Sequence, residues 1–292
     1  METFWIYGTK GLEYIDKHYQ KLPACSAAFE SSGYYVMKND SDYVFIDCAE
    51  IGLSGRGGHG HNDCLSFELS LQGQSIIIDP GSPAYTGNYH LRNKYRSTLS
   101  HNTPMVDDVE MNSFIHPKYL WNLSYEAKPK VNQWIESVDS IFFSGSHNGY
   151  QKLADPVTII RSLMLSKPFH SVSIYDEIKA ESSHFLSIPL HFHPDVNILD
   201  IKASSFTIEC NDCSFVVEWI SDCSFILDIT KYQSSPSYGI LVDAFKAEWT
   251  ANINKSSYLF INIKPLSVKV QMYDQFTAIK SLLLSSHKKC VL

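Results

Sequence analysis

The residues best suited to chemistry lie in one stretch of 44 residues, GHGHNDCLSFELSLQGQSIIIDPGSPAYTGNYHLRNKYRSTLSH, which ends at His101. Three of its histidines, His59, His61 and His101, are spaced for chemistry, and an aspartate, Asp79, closes an apolar run. Imidazole and carboxylate groups are ligands for Zn²⁺ and also serve as general bases. Few purely structural segments need all of these groups together, so this stretch is the candidate site.

The histidines and the aspartate are arranged in a way that suits a metal ion. The H-x-H motif places two imidazoles on the same side of an extended backbone, because residues two apart share a face. Asp79 ends a strand expected to pair with residues 65–71, and the long loop after it can bring His101 back. Two imidazoles and a carboxylate suit Zn²⁺, with the fourth position left to water or another side chain, and Asp63 could orient one imidazole. The alternative is that these histidines only hydrogen-bond the loop.

Two arginines and a tyrosine in the same stretch have the chemistry to handle an acidic substrate. Arg92 and Arg96 are four residues apart, so both face one side if that segment is a helical turn. Guanidinium groups match carboxylates through paired hydrogen bonds, although a solvated surface turn is the alternative. Tyr85 could transfer a proton if a nearby cation lowers its pKa, although packing is the commoner role of a tyrosine.

The bulk properties exclude several classes of protein. The net charge of −7 makes nucleic acid and anionic membrane surfaces unlikely partners. The first residues do not resemble a signal peptide, and no apolar run approaches the roughly 20 residues of a membrane span. Seven scattered cysteines argue against a disulfide framework, and the Cys210–Cys213 pair fits a hairpin turn at Asn211 and Asp212 better than a zinc ribbon.

The rest of the chain predicts an all-β fold after a short helix. Residues 4 to about 21 have helical spacing, and Pro23 ends the helix. About a dozen short alternating or apolar runs follow, separated by turn residues, which predicts a large antiparallel β-sandwich. A tight hairpin is expected at Gly73-Gln74, whereas the tail after Pro265 is ambiguous between a strand and a helix.

One long loop interrupts this pattern of strands. It runs from Pro80 to Thr103 and shows no clear periodicity. Loops longer than about 15 residues are uncommon in compact domains and are usually functional when they occur. The content of Gly, Pro, Arg, Tyr and His in this loop favours a functional role.

These motifs together resemble a known family. GHGHND-x-LSFELSLQGQSIIIDPGSPAYTG followed by RNKYRSTLSHNT is similar to the C-terminal β-sandwich domain of the heparinase II/III family of polysaccharide lyases. The match is dense over residues 55–107 and looser over 33–54 and 108–265. Members join an N-terminal (α/α) toroid to this sandwich, with the active-site cleft between them. The resemblance implies that residues 1–24 are the end of a toroid and that residues 25–292 form the sandwich domain.

The resemblance also implies a role for each motif residue. The first histidine of H-x-H, His59, corresponds to the catalytic histidine of the sandwich, and Tyr85 to a loop tyrosine near the cleft. His61, Asp79 and His101 correspond to the ligands of a structural zinc ion.

The arginines and the toroid complete the expected site. Arg92 and Arg96 match the R-N-x-x-R-S-T motif, which is expected to bind substrate or to brace the zinc loop. The toroid of the family supplies a catalytic tyrosine and an Asn or His that neutralises the substrate carboxylate, and no position of this chain can inherit those roles.

The implied function is therefore one half of a lyase that cleaves uronic-acid-containing polysaccharide by β-elimination. The isolated chain is expected to be inactive or nearly so without its toroid, which lies in the same gene product or on a partner. The alternative is a non-catalytic zinc-containing sandwich that acts as a carbohydrate-binding or structural module. The family's habits imply a periplasmic or secreted parent protein, whereas the sequence does not define the polysaccharide or the oligomeric state.

Overall fold

The computed structural model describes residues 2–18 and 25–287. Helix α1 (Glu2–His18) is interrupted at Gly8, whose backbone is not helical. The last residues of the helix expected from the sequence, and Pro23, which was expected to end it, lie outside the described residues. None of the helices in these two ranges is both long and apolar enough to cross a membrane.

Seventeen strands and two further helices make up the rest of the described chain. The strands are β1 (Ala27–Phe29), β2 (Tyr34–Lys38), β3 (Tyr43–Asp47), β4 (Phe67–Leu71), β5 (Gln74–Ile77), β6 (Met105–Val106), β7 (Pro129–Glu136), β8 (Ser140–Tyr150), β9 (Val157–Ser166), β10 (Ser171–Lys179), β11 (His184–His191), β12 (Val196–Leu199), β13 (Ser205–Cys210), β14 (Cys213–Ser221), β15 (Ile226–Ser234), β16 (Val242–Ile253) and β17 (Ser257–Pro265). The helices are α2 (Tyr89–Tyr95) and α3 (Met272–His287), with 3-10 turns at Leu53–Gly55 and Thr98–Ser100.

The strands form three antiparallel sheets, as the alternating sequence pattern predicts. Five strands run in the order β1-β2-β3-β4-β5, eight in the order β12-β13-β14-β17-β10-β9-β8-β7, and four in the order β15-β16-β11-β6. The two smaller sheets meet where Ile77, at the end of β5, bridges to Phe192, just after β11. One apolar core contains residues of all three sheets, which confirms the β-sandwich.

Alternation along the central strands gives the eight-stranded sheet two apolar faces. Ile141 and Phe143 of β8 belong to the core shared with the other sheets, whereas Phe142 between them belongs to a second cluster. That cluster includes Ile279 of α3, so the C-terminal helix covers the outer face of the large sheet. The tail that was ambiguous in the sequence is therefore helical, because it has an apolar sheet face to cover.

The two expected hairpins are present, one of them with a shifted turn. Cys210 pairs with Cys213 across a turn in which Asn211 has a positive φ. The other turn uses Gln72 and Gly73, one residue earlier than expected, with φ values of 51° and 78°. Two consecutive positive φ values match the right-handed twist of the flanking strands. The six cysteines in the described ranges are all free.

Candidate functional site

Two long connections of the five-stranded sheet supply the candidate residues. The first joins β3 to β4 and contains His59, His61 and Asp63. The second joins β5 to β6 and contains Asp79, both arginines and His101, with α2 and a 3-10 turn inside it. Because β3 and β5 flank β4 in the antiparallel sheet and run in the same direction, both connections start from the same edge of the sheet. The long loop expected from the sequence is thus partly helical.

Asn102 fixes the end of the second connection. Its Nδ2 atom donates to the carbonyl oxygens of Phe67 and Ile78, both at 2.9 Å, and its Oδ1 atom accepts from the amide of His191 at 2.8 Å. One buried side chain thereby ties β4, the end of β5 and β11 together. Its neighbour Thr103 donates to the carbonyl of Cys64 at 2.7 Å. The S-H-N-T motif consequently holds the histidine that precedes Asn102 in place.

Three of the candidate side chains converge on one point. Ligand atoms of His61, Asp63 and His101 all lie within 4.8 Å of one another. Asp79 lies beside this group, where its Oδ2 atom accepts from Nδ1 of His101 at 2.6 Å and its Oδ1 atom accepts from the Gly81 amide at 2.8 Å. The structure therefore brings both histidines together as expected, but the carboxylate in the compact group is Asp63. Asp79 is in direct contact with His101, so its carboxylate lies beside this group.

The two histidines of this group differ in charge. Burial, together with the charges of His101 and Arg92, lowers the pKa of His61 to about 3. Burial also opposes protonation of His101, but the charge and hydrogen bond of Asp79 prevail and raise the pKa of His101 to about 9. His61 is therefore neutral, as a metal ligand must be, whereas His101 holds a second proton in the absence of a metal ion.

A metal ion fits this group for two physical reasons. The Nε2 atom of His101 is buried and has no hydrogen-bond partner, which is costly for a polar atom. A metal ion bound there would replace the proton and satisfy that atom. Burial also raises the pKa of both Asp63 and Asp47, the charge of Asp79 raises both further, and that of Asp63 adds to the rise at Asp47. A cation among them would favour their ionised forms.

The other H-x-H histidine lies at the surface. The side chain of His59 is exposed, and its ring centroid lies 6.2 Å from that of Tyr85 and 4.8 Å from that of Trp121. Tyr85 stacks on Trp121 on one side and on Tyr238 on the other, with centroids 5.7 and 5.8 Å apart. The two histidines of the motif thus face different surroundings, since His61 belongs to the partly buried group that it forms with Asp63 and His101.

Arg92 lies between the buried group and the aromatic rings. Its Nη1 atom donates to Nε2 of His61 at 2.6 Å and to Oγ of Ser82 at 3.2 Å. Its guanidinium carbon lies 5.1 Å from the ring centroid of Tyr85 and 5.7 Å from that of Trp121. The side chain is fully buried, so it does not present its guanidinium to solvent as a substrate-binding residue would.

Arg96 is also fully buried and holds a different loop. Its guanidinium donates to the carbonyl oxygens of Tyr119, Leu120 and Asn122 at 3.1 to 3.2 Å, and to Oδ1 of Asn93 at 3.0 Å. These contacts immobilise the backbone on both sides of Trp121. Both arginines are therefore buried and direct most of their hydrogen bonds to groups inside the protein, which places their guanidinium groups beneath the surface.

The sequence did not indicate several residues of this site. Trp121 and Tyr238 lie in loops without a recognisable motif, and only tertiary packing brings them beside Tyr85. Glu110 accepts from Thr98, through both its amide and its hydroxyl at 2.7 Å, and from Asn62 at 2.7 Å. Glu110 therefore links the two connections through hydrogen bonds to one residue of each. The polar motif residues around the histidines could have suggested such a partner, but not its position.

Comparisons with known proteins agree with this geometry. The family model described as Heparinase II/III-like, C-terminal matches residues 21–250. A comparison with curated protein sequences found no match.

Two solved lyases share the fold. The heparan sulfate lyase HepC of Pedobacter heparinus superposes with a TM-score of 0.71 at 18% identity, over 89% of this chain and 40% of its own. A heparinase III superposes with a TM-score of 0.70 at 13% identity, over 91% of this chain and 43% of its own. The chain thus spans about two fifths of the solved lyases that it matches. Because the family model covers well over half of its residues, the chain belongs to the Heparinase II/III-like, C-terminal family.

Proposed function

We propose that this chain is the sandwich half of a polysaccharide lyase that cleaves uronic-acid-containing polymers by β-elimination. The observation that carries the proposal is the position of His59, which is exposed and contacts Tyr85. It stands two positions before His61 in the sequence, and His61 belongs to the partly buried group with Asp63 and His101. Membership of the family and the likeness to a solved heparan sulfate lyase support the same reaction class.

His59 and Tyr85 carry the proton transfers that this half contributes. The reaction breaks the C5–H bond next to the uronate carboxylate, and its electron pair forms a double bond between C4 and C5. The C4–O4 bond breaks, and O4 leaves with a proton from an acid. In this proposal His59 accepts the first proton and Tyr85 acts beside it, which is supported by the 6.2 Å distance between their ring centroids. Each such transfer contributes about 10²–10⁴ in rate.

A structural zinc ion pins the loops that hold these residues. In this proposal His61, Asp79 and His101 supply donors and Asp63 supplies the fourth, which is supported by the ligand atoms of His61, Asp63 and His101 within 4.8 Å of one another and by the 2.6 Å contact of Asp79 with His101. Four protein ligands are typical of a closed structural zinc site. When bound, the ion cross-links the two connections, so that His59 keeps its place at the rim.

The remaining chemistry comes from outside this chain. Neutralising the uronate carboxylate stabilises the charge that develops at C5, and the buried arginines are not available for it. We assign this step to a helical toroid domain, as the solved lyases are more than twice as long as the matched region. An acidic polysaccharide is the expected substrate, with heparan sulfate the first to test, and a periplasmic or secreted parent protein fits it.

The proposal is tested by lyase activity on heparan sulfate and on alginate, followed by the ultraviolet absorbance of the new double bond. The complete gene product that contains these residues should form unsaturated product, and His59→Ala in it should lower kcat by about 10²-fold or more. The 292-residue chain alone should form little or none.

Two results would overturn this proposal in different ways. Robust product from the 292-residue chain alone would show that the chain needs no further domain. No unsaturated product from the complete gene product on any uronate polymer would favour the alternative, a zinc-containing module that binds carbohydrate or supports a larger assembly.

A further inference from the structure

The surface beside His59 holds three large aromatic rings that the fold brings together without burying. Tyr85, Trp121 and Tyr238 have 36%, 37% and 65% of their surfaces exposed. The three come from separate loops, and Tyr85 stacks between the other two. We call this set the aromatic ledge. Aromatic rings left exposed in a row are available to pack against a ligand, and Trp121 brings the ledge to His59.

The loops of the aromatic ledge are held firmly. The amide of Ser235 donates to the carbonyl of Pro80 at 2.6 Å, and the amide of Gly239 donates to that of Pro83 at 2.9 Å. These two bonds hold the loop of Tyr238 against the loop of Tyr85. Arg96 fixes the backbone around Trp121 through three carbonyl oxygens. A rigid binding surface loses little conformational freedom when a ligand binds.

The charge beneath the aromatic ledge favours an anion. Arg92 lies under Tyr85 and Trp121, and among the described residues no carboxylate forms an ion pair with it. Its Nε atom is buried without a hydrogen-bond partner. A buried cation that lacks a counter-ion leaves a positive potential at the nearest surface, which here is the ledge. A uronate sugar combines a flat C–H face with a negative charge, so it complements both features.

We propose that the aromatic ledge of Trp121, Tyr85 and Tyr238 stacks against the pyranose rings of a uronate-containing polysaccharide and directs that polysaccharide to His59. This rests on the proposed function for the class of substrate and adds the residues that hold it. Trp121 and Tyr238 are binding residues on this surface, and Arg96 positions Trp121 by fixing its loop.

The test measures binding, which does not depend on catalysis. An unsulfated tetrasaccharide of alternating glucuronate and N-acetylglucosamine is titrated calorimetrically into the 292-residue chain, with a neutral N-acetylglucosamine tetramer as the comparison ligand. Trp121→Ala and Tyr238→Ala should each weaken binding of the uronate probe by about tenfold. Trp121→Phe should recover most of the loss, and the neutral tetramer should bind more weakly to the unaltered chain.

Tyr273→Ala is the matched control, because Tyr273 is 70% exposed but lies on α3 and contacts Phe276. It should leave the affinity unchanged. Equal affinity of the ledge variants and the unaltered chain would overturn the proposal, as would a failure of the unaltered chain to bind the uronate probe.

A second measurement separates a sugar from a protein surface as the occupant. Oxidative footprinting of the complete gene product should find Trp121 and Tyr238 accessible without sugar and protected when the uronate probe is added. Protection without sugar would mean that another part of the protein covers the ledge, which overturns the proposal. A ledge that binds sugar in a protein without lyase activity would refute only the proposed reaction, whereas active ledge variants with an unchanged KM would refute only the ledge.

Discussion

At the scale of single residues, the two histidines of H-x-H have opposite environments, and substitution should separate their roles. His61 is part of the partly buried group with Asp63 and His101, whereas His59 is exposed. We expect His61→Ala to abolish zinc binding and to lower Tm, because an ion bound only to the folded state stabilises it. His59→Ala should retain about one zinc per chain. Elemental analysis and thermal unfolding with and without a chelator measure both effects, and equal losses in the two variants would reverse the assignment.

The carboxylate of Asp63 offers a sharper test of the metal group. The sequence suggested that Asp63 orients a histidine, but the structure places it within 4.8 Å of the ligand atoms of both His61 and His101. Asp63→Asn should therefore weaken zinc binding by about 10- to 100-fold, as loss of a ligand or of its direct support does. Competition with a chromophoric chelator measures the affinity. An exposed carboxylate, Glu30→Gln, should leave it unchanged, and an unchanged affinity in Asp63→Asn would remove that residue from the set.

At the scale of elements, Arg96 is the residue through which α2 holds the neighbouring loop. Arg96→Lys cannot reach all of the carbonyl oxygens of Tyr119, Leu120 and Asn122. Leaving buried acceptors without donors should lower the free energy of unfolding by about 2–4 kcal/mol. Urea titration measures the loss, and amide hydrogen exchange should speed up around residue 121.

An arginine at the surface provides the control for Arg96→Lys. Arg56 is exposed, so Arg56→Lys should change the free energy of unfolding by less than about 0.5 kcal/mol. A loss of the same size in both variants would mean that the contacts of Arg96 do not hold the loop.

The loops that meet at the aromatic ledge depend on one glycine. Gly81 has a φ of 80°, and a Cβ atom there would lie 2.1 Å from the carbonyl oxygen of Ser235. Gly81→Ala should therefore lower the free energy of unfolding by about 2 kcal/mol or more, since both strain and a backbone clash arise. Gly87→Ala in the same connection meets no atom within 4 Å and should have little effect. Thermal unfolding compares the two, and equal stability would contradict the bridge between these loops.

At the scale of the whole molecule, a histidine buried in the sandwich should make the fold sensitive to acid. Burial, with the charge of Arg161, lowers the pKa of His147 to about 3, whereas the unfolded chain keeps the ordinary value near 6.5. Between these values the unfolded state binds a proton that the folded state does not. The free energy of unfolding should therefore fall by about 1 kcal/mol per pH unit as pH falls from 6.5 toward 3.

Removing the imidazole should flatten this dependence. His147→Gln is expected to reduce the slope of unfolding free energy against pH by about that amount, whatever its effect at neutral pH. His116→Gln replaces an exposed histidine and should leave the slope as it is. Urea titrations between pH 4 and 7 provide the comparison, and parallel slopes for His147→Gln and the unaltered chain would show that His147 does not carry the effect.

The sequence by itself determined the fold class, the family and the stretch that holds the site. Alternation between buried and exposed residues depends only on the period of a strand, so most strands could be predicted from it. The S-H-N-T and R-N-x-x-R-S-T motifs were recognisable because they resemble the sequence pattern of the family, which the family model confirms.

Only the tertiary structure decided how the site is completed. In the folded protein Arg92 and Arg96 are buried, and Asp63 lies with His61 and His101. Trp121 and Tyr238 lie beside Tyr85. These outcomes depend on contacts between residues far apart in the chain, which neither the period of a strand nor the spacing of a motif encodes. The tail after Pro265 became helical for the same reason, because the apolar outer face of the large sheet needed a cover.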